Sequence, residues 1–136
     1  MAGIDAVGVL DSGRRVVLTG AGLGEQWHGG LAEVTRGPTD ACVELPRDLP
    51  ATSAAAVGTA GFTAALCVLA LQRNGIEPGT GPVAVTGASG GVGSIAIMLL
   101  STLGHEVHAV TGRPDESGEQ LRSCLLSTSP SPRDRG

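Results

Sequence analysis

The stretch Thr86-Gly87-Ala88-Ser89-Gly90-Gly91-Val92-Gly93, TGASGGVG at residues 86–93, decides how this sequence folds. Its glycines let backbone N–H groups approach an anion without obstruction by side chains. Just upstream, the apolar β-branched run at 83–86 predicts a strand. Downstream, Val92, Ile95, Ala96, Leu99, Leu100 and Leu103 follow the i, i+3, i+4, i+7 rule, which predicts one apolar face of a helix ended by Gly104. A second strand is predicted over 107–110. Strand, glycine loop, helix and strand together form a βαβ unit.

In such a unit the loop cradles the pyrophosphate of a dinucleotide, and the helix N-terminus adds about half an elementary positive charge. Ala88 takes the tight turn, Gly90 the point of phosphate approach, and Gly93 the packing of helix on strand. The end of the second strand selects the cofactor. An NAD site places Asp or Glu there to hold the ribose 2′-hydroxyl. This chain has Val110-Thr111-Gly112-Arg113 instead, in which Arg113 offers a fork of donors and Thr111 a hydroxyl, so NADPH is favoured over NADH. Asp115 and Glu116 follow slightly late for a ribose ligand and keep NADH as the alternative.

The rest of the chain reads differently. Residues 4–10, 15–19, 31–35 and 42–45 are predicted as short strands between turns, part of a small β-barrel or sandwich. After a break at 46–50, Thr52 or Ser53 is expected to cap a helix over 54–57. Gly58 and Gly61 are expected to interrupt it before a longer helix over 62–73, closed by Asn74-Gly75. The uncharged run 54–71 has the length of a short membrane span, but its Ala, Gly, Thr and Ser content favours a buried helix of a soluble protein.

Composition narrows the function classes. The 136 residues are 41% hydrophobic and 16% charged, which suits a packed globular protein. A net charge of −4 gives no electrostatic footprint for nucleic acid or an anionic membrane. Cys42, Cys67 and Cys124 are widely spaced, which suits a reduced, cytoplasmic setting. Gly104-His105-Glu106 mimics part of a zinc-dehydrogenase signature, but no Cys stands near His105 or His108 at metal spacing, so no metal is expected. His28, beside Trp27, is expected in a packed or exposed loop. All nine basic residues are Arg, and the chain has no Tyr.

Those absences matter, because TGASGGVG also fits the loop of short-chain dehydrogenases, which work through a Tyr and a Lys. A different family fits better. Gly3-Ile4-Asp5, GEQWHGGLAE (24–33), GTAGFTAALCVLAL (58–71), GPVAVTGASGGVGS (81–94) and VTGR (110–113) resemble, in that order, the acryloyl-CoA reductase or YhdH-type quinone oxidoreductase branch of the zinc-independent medium-chain dehydrogenases. The resemblance runs over 2–123. It implies an NADPH-dependent reductase that delivers hydride to the β-carbon of an α,β-unsaturated acyl thioester such as acryloyl-CoA, with a proton added at the α-carbon. Quinone reduction and a non-catalytic NADP-binding homologue are the alternatives.

Matched residue by residue, Ser89, Gly90, Gly91 and Val92 fall on that family's pyrophosphate loop, and Thr111, Gly112 and Arg113 on its 2′-phosphate site. No catalytic residue is named, since the tyrosine that the family places near the nicotinamide has no counterpart here. Ala2 stands where the family has Pro, and Trp27-His28 reverses its usual order. The expected fold is α/β: part of a GroES-like β-barrel domain (1–50), connecting helices (51–80) and the first β-α-β of a Rossmann domain (81–123). The run CLLSTSPSPRDRG at 124–136 differs at Ser127 from CLLYTSPSPRD, the translation of a common sequencing-library adapter, so an adapter-derived or disordered tail is expected. The chain is thus expected to be a fragment, marginally stable and inactive alone. Its expected partners are an acyl-CoA or quinone substrate, and the resemblance leaves a homodimeric parent open.

Overall fold

The computed structural model describes residues 2–112, 117–119 and 121. The chain divides into two compact units, Met1–Thr59 and Ala60–Gly136.

The first unit is built on an antiparallel meander of β1 (Asp5–Val9), β2 (Arg15–Thr19) and β3 (Cys42–Glu44), with β2 in the centre. Asp5 pairs with Thr19 and Val9 with Arg15, while Val16 faces Glu44 on the other side. Gly13, at φ 82°, closes the β1–β2 turn, where the Leu10 N–H donates to the Arg14 carbonyl at 2.9 Å. The alternation of β2 buries Val16 and Leu18, and Leu23, Leu45 and Ala54 complete the apolar interior of this unit. The Arg15 guanidinium donates to the Leu49 carbonyl at 2.6 Å, fixing the segment that leads into the first helix.

Residues 31–35, expected as a strand, are not one. The Ala32 N–H turns back to the Gly30 carbonyl at 2.9 Å, and the Thr35 hydroxyl donates to the Gly29 carbonyl at 3.2 Å. These local bonds take the place of a ladder, and Leu31 and Val34 are left exposed.

α1 (Ala51–Arg73) starts at Ala51, ahead of the expected cap, and Gly58 inside it leaves helical geometry at φ 41° and ψ −150°. Gly61, by contrast, stays helical and buried. The Asp5 carboxylate explains the restart after Gly58, because its Oδ1 accepts from the Thr59 N–H at 3.0 Å and from the Thr59 hydroxyl at 2.6 Å. Across the helix the Gly61, Ala64 and Val68 line is buried, while Phe62, Leu66 and Leu69 are exposed, so burial holds for one face only. α1 passes the length and apolarity test for a membrane span, with a mean hydropathy of 2.0. Its kink, however, leaves a straight piece of about 15 residues, roughly 22 Å, against a hydrocarbon core of about 30 Å. The helix ends as the sequence predicts: Gly75 adopts φ 77°, and the Ile76 and Gly75 N–H groups reach back to the Leu71 and Gln72 carbonyls.

In the second unit β4 (Val83–Thr86) and β5 (Val107–Val110) run parallel, joined through α2 (Gly91–Thr102). Both strands have the predicted limits. Val68, Ala88, Ile97, Leu100, Val107 and Leu121 form the core, with Val83, Val85 and Leu99 packed on it. The buried face of α2 is Gly93, Ala96, Ile97 and Leu100, so it is rotated from the predicted one: Ile97 is buried, and Val92 and Leu103 are exposed. α2 is apolar nearly all round, so periodicity gave no polar face from which to set its rotation.

Candidate dinucleotide site

The glycine loop joins the end of β4 to the start of α2. Gly87 adopts φ 62°, and the Gly90 N–H donates to the Gly87 carbonyl at 2.9 Å, closing a tight turn with Ala88 and Ser89 at its centre. Ala88 is fully buried, and its N–H donates to the Val110 carbonyl at 3.2 Å, clipping the loop to the last residue of β5. Gly90 is the N-cap of α2 at φ −82° and ψ 168°, and the first turn holds no acidic residue. A glycine N-cap has no side chain with which to satisfy the first-turn N–H donors. The helix therefore begins with donors and a partial positive charge that its own sequence does not neutralise, an arrangement that fits a bound anion.

Each glycine in the loop meets a different environment. A Cβ on Gly93 would run into the Gly87 carbonyl, so this position is fixed by the close packing of helix on turn. On Gly90 the Cβ would lie 3.2 Å from the same oxygen. On Gly91 it would lie 3.5 Å from the Ala60 Cβ, an ordinary contact, so the fold itself tolerates a side chain there. The proximity of Ala60 to the loop is not legible in the sequence beyond the small residues of GTAGFTA.

At the far edge of the loop, Ser89 Oγ lies 3.3 Å from Thr111 Oγ1, joining the loop to the residue that follows β5. Gly112 is exposed beside them. Val92 is exposed in the first turn of α2. Of the sequence-selected residues, Ser89, Gly90, Gly91, Val92, Thr111 and Gly112 are thus gathered around one loop and one strand end. Arg113, with Asp115 and Glu116, lies outside the described residues.

The other polar candidates sit elsewhere. His28 is exposed, and Trp27 is 60% exposed. Nε2 of His108 contacts Glu106 Oε1 at 3.1 Å. His105 is buried, and among the described residues neither ring nitrogen has a hydrogen-bond partner. No group of three His, Cys, Asp or Glu side chains suited to a metal occurs among the described residues. The first unit also has an open cleft of about 540 Å³ beside β1 and β2, lined in part by Val7, Val9, Leu18 and Val34.

No protein-family model matches the chain. It is 50% identical over 129 residues to the acrylyl-CoA reductase AcuI of Ruegeria pomeroyi, covering 89% of this chain and 39% of that protein. Among solved structures, the YhdH oxidoreductase of Salmonella enterica in complex with NADP superposes with a TM-score of 0.89 at 45% identity, covering all of this chain and 44% of that one. The Bacillus subtilis protein YhfP with NAD bound gives a TM-score of 0.89 at 41% identity, covering 98% of this chain and 43% of that one. The chain therefore spans about two fifths of the length of the proteins it matches. These likenesses bear out the expected fold, part of a GroES-like domain followed by the start of a Rossmann domain.

Proposed function

The chain is a homologue of the acrylyl-CoA reductase AcuI and the YhdH and YhfP oxidoreductases, and from that premise we propose that it is part of an NADPH-dependent reductase. The reaction is reduction of the C=C bond of an α,β-unsaturated acyl-CoA, acryloyl-CoA to propanoyl-CoA. The observation that carries the cofactor assignment is the helix start at Gly90, which has no side-chain cap and no acidic residue in its first turn and follows a loop that Ala88 clips to the end of β5. Relatives of the same fold were crystallised with NADP and with NAD. The loop is therefore compatible with either dinucleotide, and the residues after β5 decide between them.

In this reading the backbone of Ser89, Gly90, Gly91 and Val92 holds the pyrophosphate, and Thr111, Gly112 and Arg113 receive the 2′-phosphate. The bound dinucleotide supplies the hydride. The described residues orient it, and the groups that act on the substrate belong to other parts of the parent protein. Residues 1–50 serve as part of the catalytic domain, 51–80 as connecting helices and 81–123 as the start of the nucleotide domain, in a cytoplasmic enzyme. Among the described residues the parallel sheet has two strands, which leaves much of its faces uncovered, so the 136-residue chain alone is marginal in stability and does not turn over.

The test is an assay of the protein from the complete reading frame, following NADPH oxidation with acryloyl-CoA and with a quinone in parallel. Preferential oxidation with acryloyl-CoA supports the reading. Preference for quinone replaces the substrate assignment, and no oxidation with either points to a non-catalytic NADP-binding homologue.

A further inference from the structure

We infer that the pocket formed by Trp27, Arg36, Gly37 and Pro38 in the first unit binds the phosphoadenosine end of the acyl-CoA substrate, the indole stacking on the adenine ring and the Arg36 guanidinium pairing with the 3′-phosphate. The inference rests on the acyl-CoA reading above and adds a subsite to it. Trp27 is 60% exposed, yet its backbone is fixed on both sides: its N–H donates to the Gly22 carbonyl at 3.0 Å, and its carbonyl accepts from the Gly24 N–H at 3.2 Å. Gly22, at φ 77°, lies against the indole, since a Cβ there would come within 3.2 Å of Trp27 Cδ1. A large ring held by bare backbone and open to solvent offers stacking area at little further cost in conformational entropy.

The opposite lip is fixed as well. Gly37 packs so closely on the buried Leu18 side chain that a Cβ would collide with it. The Thr35 hydroxyl, donating to the Gly29 carbonyl at 3.2 Å, ties this segment to the residues that follow Trp27. The pocket has a volume of about 300 Å³, at the lower end of the range for small-molecule sites, so it suits one end of a ligand rather than a whole coenzyme. Its one charged lining residue is Arg36, which is exposed and makes no ion pair among the described residues. An apolar pocket with an indole wall and an unpaired guanidinium is complementary to a flat ring that carries an anion. In an acyl-CoA that description fits the 3′-phosphoadenosine, because the acryloyl group is small and the pantetheine arm is a flexible chain without a ring. A quinone has the ring and lacks the anion. The phosphorylated adenosine of NADPH has its proposed place in the second unit, at the glycine loop and the end of β5.

Three substrates isolate the claim: acryloyl-CoA, acryloyl-dephospho-CoA and acryloyl-pantetheine share the reacting thioester and differ in the part assigned to the pocket. NADPH oxidation by the protein from the complete reading frame would be followed with each, and with a quinone. KM should rise by about tenfold or more from acryloyl-CoA to acryloyl-pantetheine, with the dephospho substrate between them and kcat little changed. Trp27→Ala and Arg36→Ala should each raise KM for acryloyl-CoA by about tenfold and leave both constants for acryloyl-pantetheine unchanged. Arg36→Ala should also erase the difference between acryloyl-CoA and its dephospho form, and Trp27→Phe, which keeps a smaller ring, should fall between Trp27→Ala and the unmodified protein. Equal KM values for the three thioesters in the unmodified protein would overturn the inference. So would variants that lose as much with acryloyl-pantetheine as with acryloyl-CoA. In both cases acryloyl thioesters are still reduced, and the acyl-CoA reading stands. Oxidation with the quinone and with none of the thioesters removes that reading and the inference with it.

Discussion

Gly91 and Gly93 stand two residues apart in the same loop, yet the fold needs only the second of them. Gly93→Ala drives a methyl group into the Gly87 carbonyl. The expected loss is on the order of 2 kcal/mol or more, read as a fall in Tm. Gly91→Ala meets only the Ala60 methyl at 3.5 Å, and alanine favours a helix over glycine. Its Tm should be unchanged or higher while NADPH binding weakens, a separation expected if position 91 is kept bare for the ligand. His105 makes the opposite point, since its ring is buried with neither nitrogen bonded among the described residues. His105→Leu removes that desolvation cost and should raise stability by about 1 kcal/mol; a lower Tm would mean that the imidazole has a partner. The glycine pattern was legible at this scale because close approach of backbones admits no other residue. The Ser89–Thr111 contact was not, because its partners are set by the pairing of two distant segments.

At the scale of elements, the restart of α1 is the feature that local sequence explains least. Glycines at 58 and 61 look equivalent in the chain, but only Gly58 leaves the helix. The difference is made by Asp5, a residue of β1, whose carboxylate caps Thr59 and approaches to 2.6 Å of where a Cβ on Gly58 would be. Asp5→Ala should cost about 1–2 kcal/mol through the lost cap. Gly58→Ala should cost at least as much, because it adds crowding against the carboxylate to a backbone conformation that only glycine adopts readily. Chemical denaturation of both variants, with the midpoints compared, checks the pair; an Asp5→Ala midpoint equal to that of the unmodified chain would remove the cap from the account. β4 and β5 were legible to the residue because short apolar runs bounded by turn residues leave little choice of limits. Residues 31–35 misled because an apolar run says nothing about whether a neighbouring strand is available to pair with it.

For the whole molecule, apolar surface is the informative quantity. Phe62, Leu66 and Leu69 line one exposed side of α1, and Val92 and Met98 are exposed on α2. The same sequence pattern that correctly announced apolar helices could not say which side each would bury, since that depends on what packs against them. Surface of this kind favours self-association, and replacing Phe62 by Asp should reduce it, as read by light scattering at rising protein concentration. The βαβ topology, the glycine loop and the short strands that became β1, β2 and β3 were recoverable from the sequence because each is set by local pattern and turn chemistry, whereas the antiparallel order of those three strands comes from pairing that the structure supplies. The bare start of α2 carries the proposed dinucleotide site. The direct measurement is a fluorescence titration of the folded 136-residue chain with NADPH, with NADH alongside. Saturable binding that favours NADPH is the result expected; binding of neither, or a preference for NADH, would contradict it.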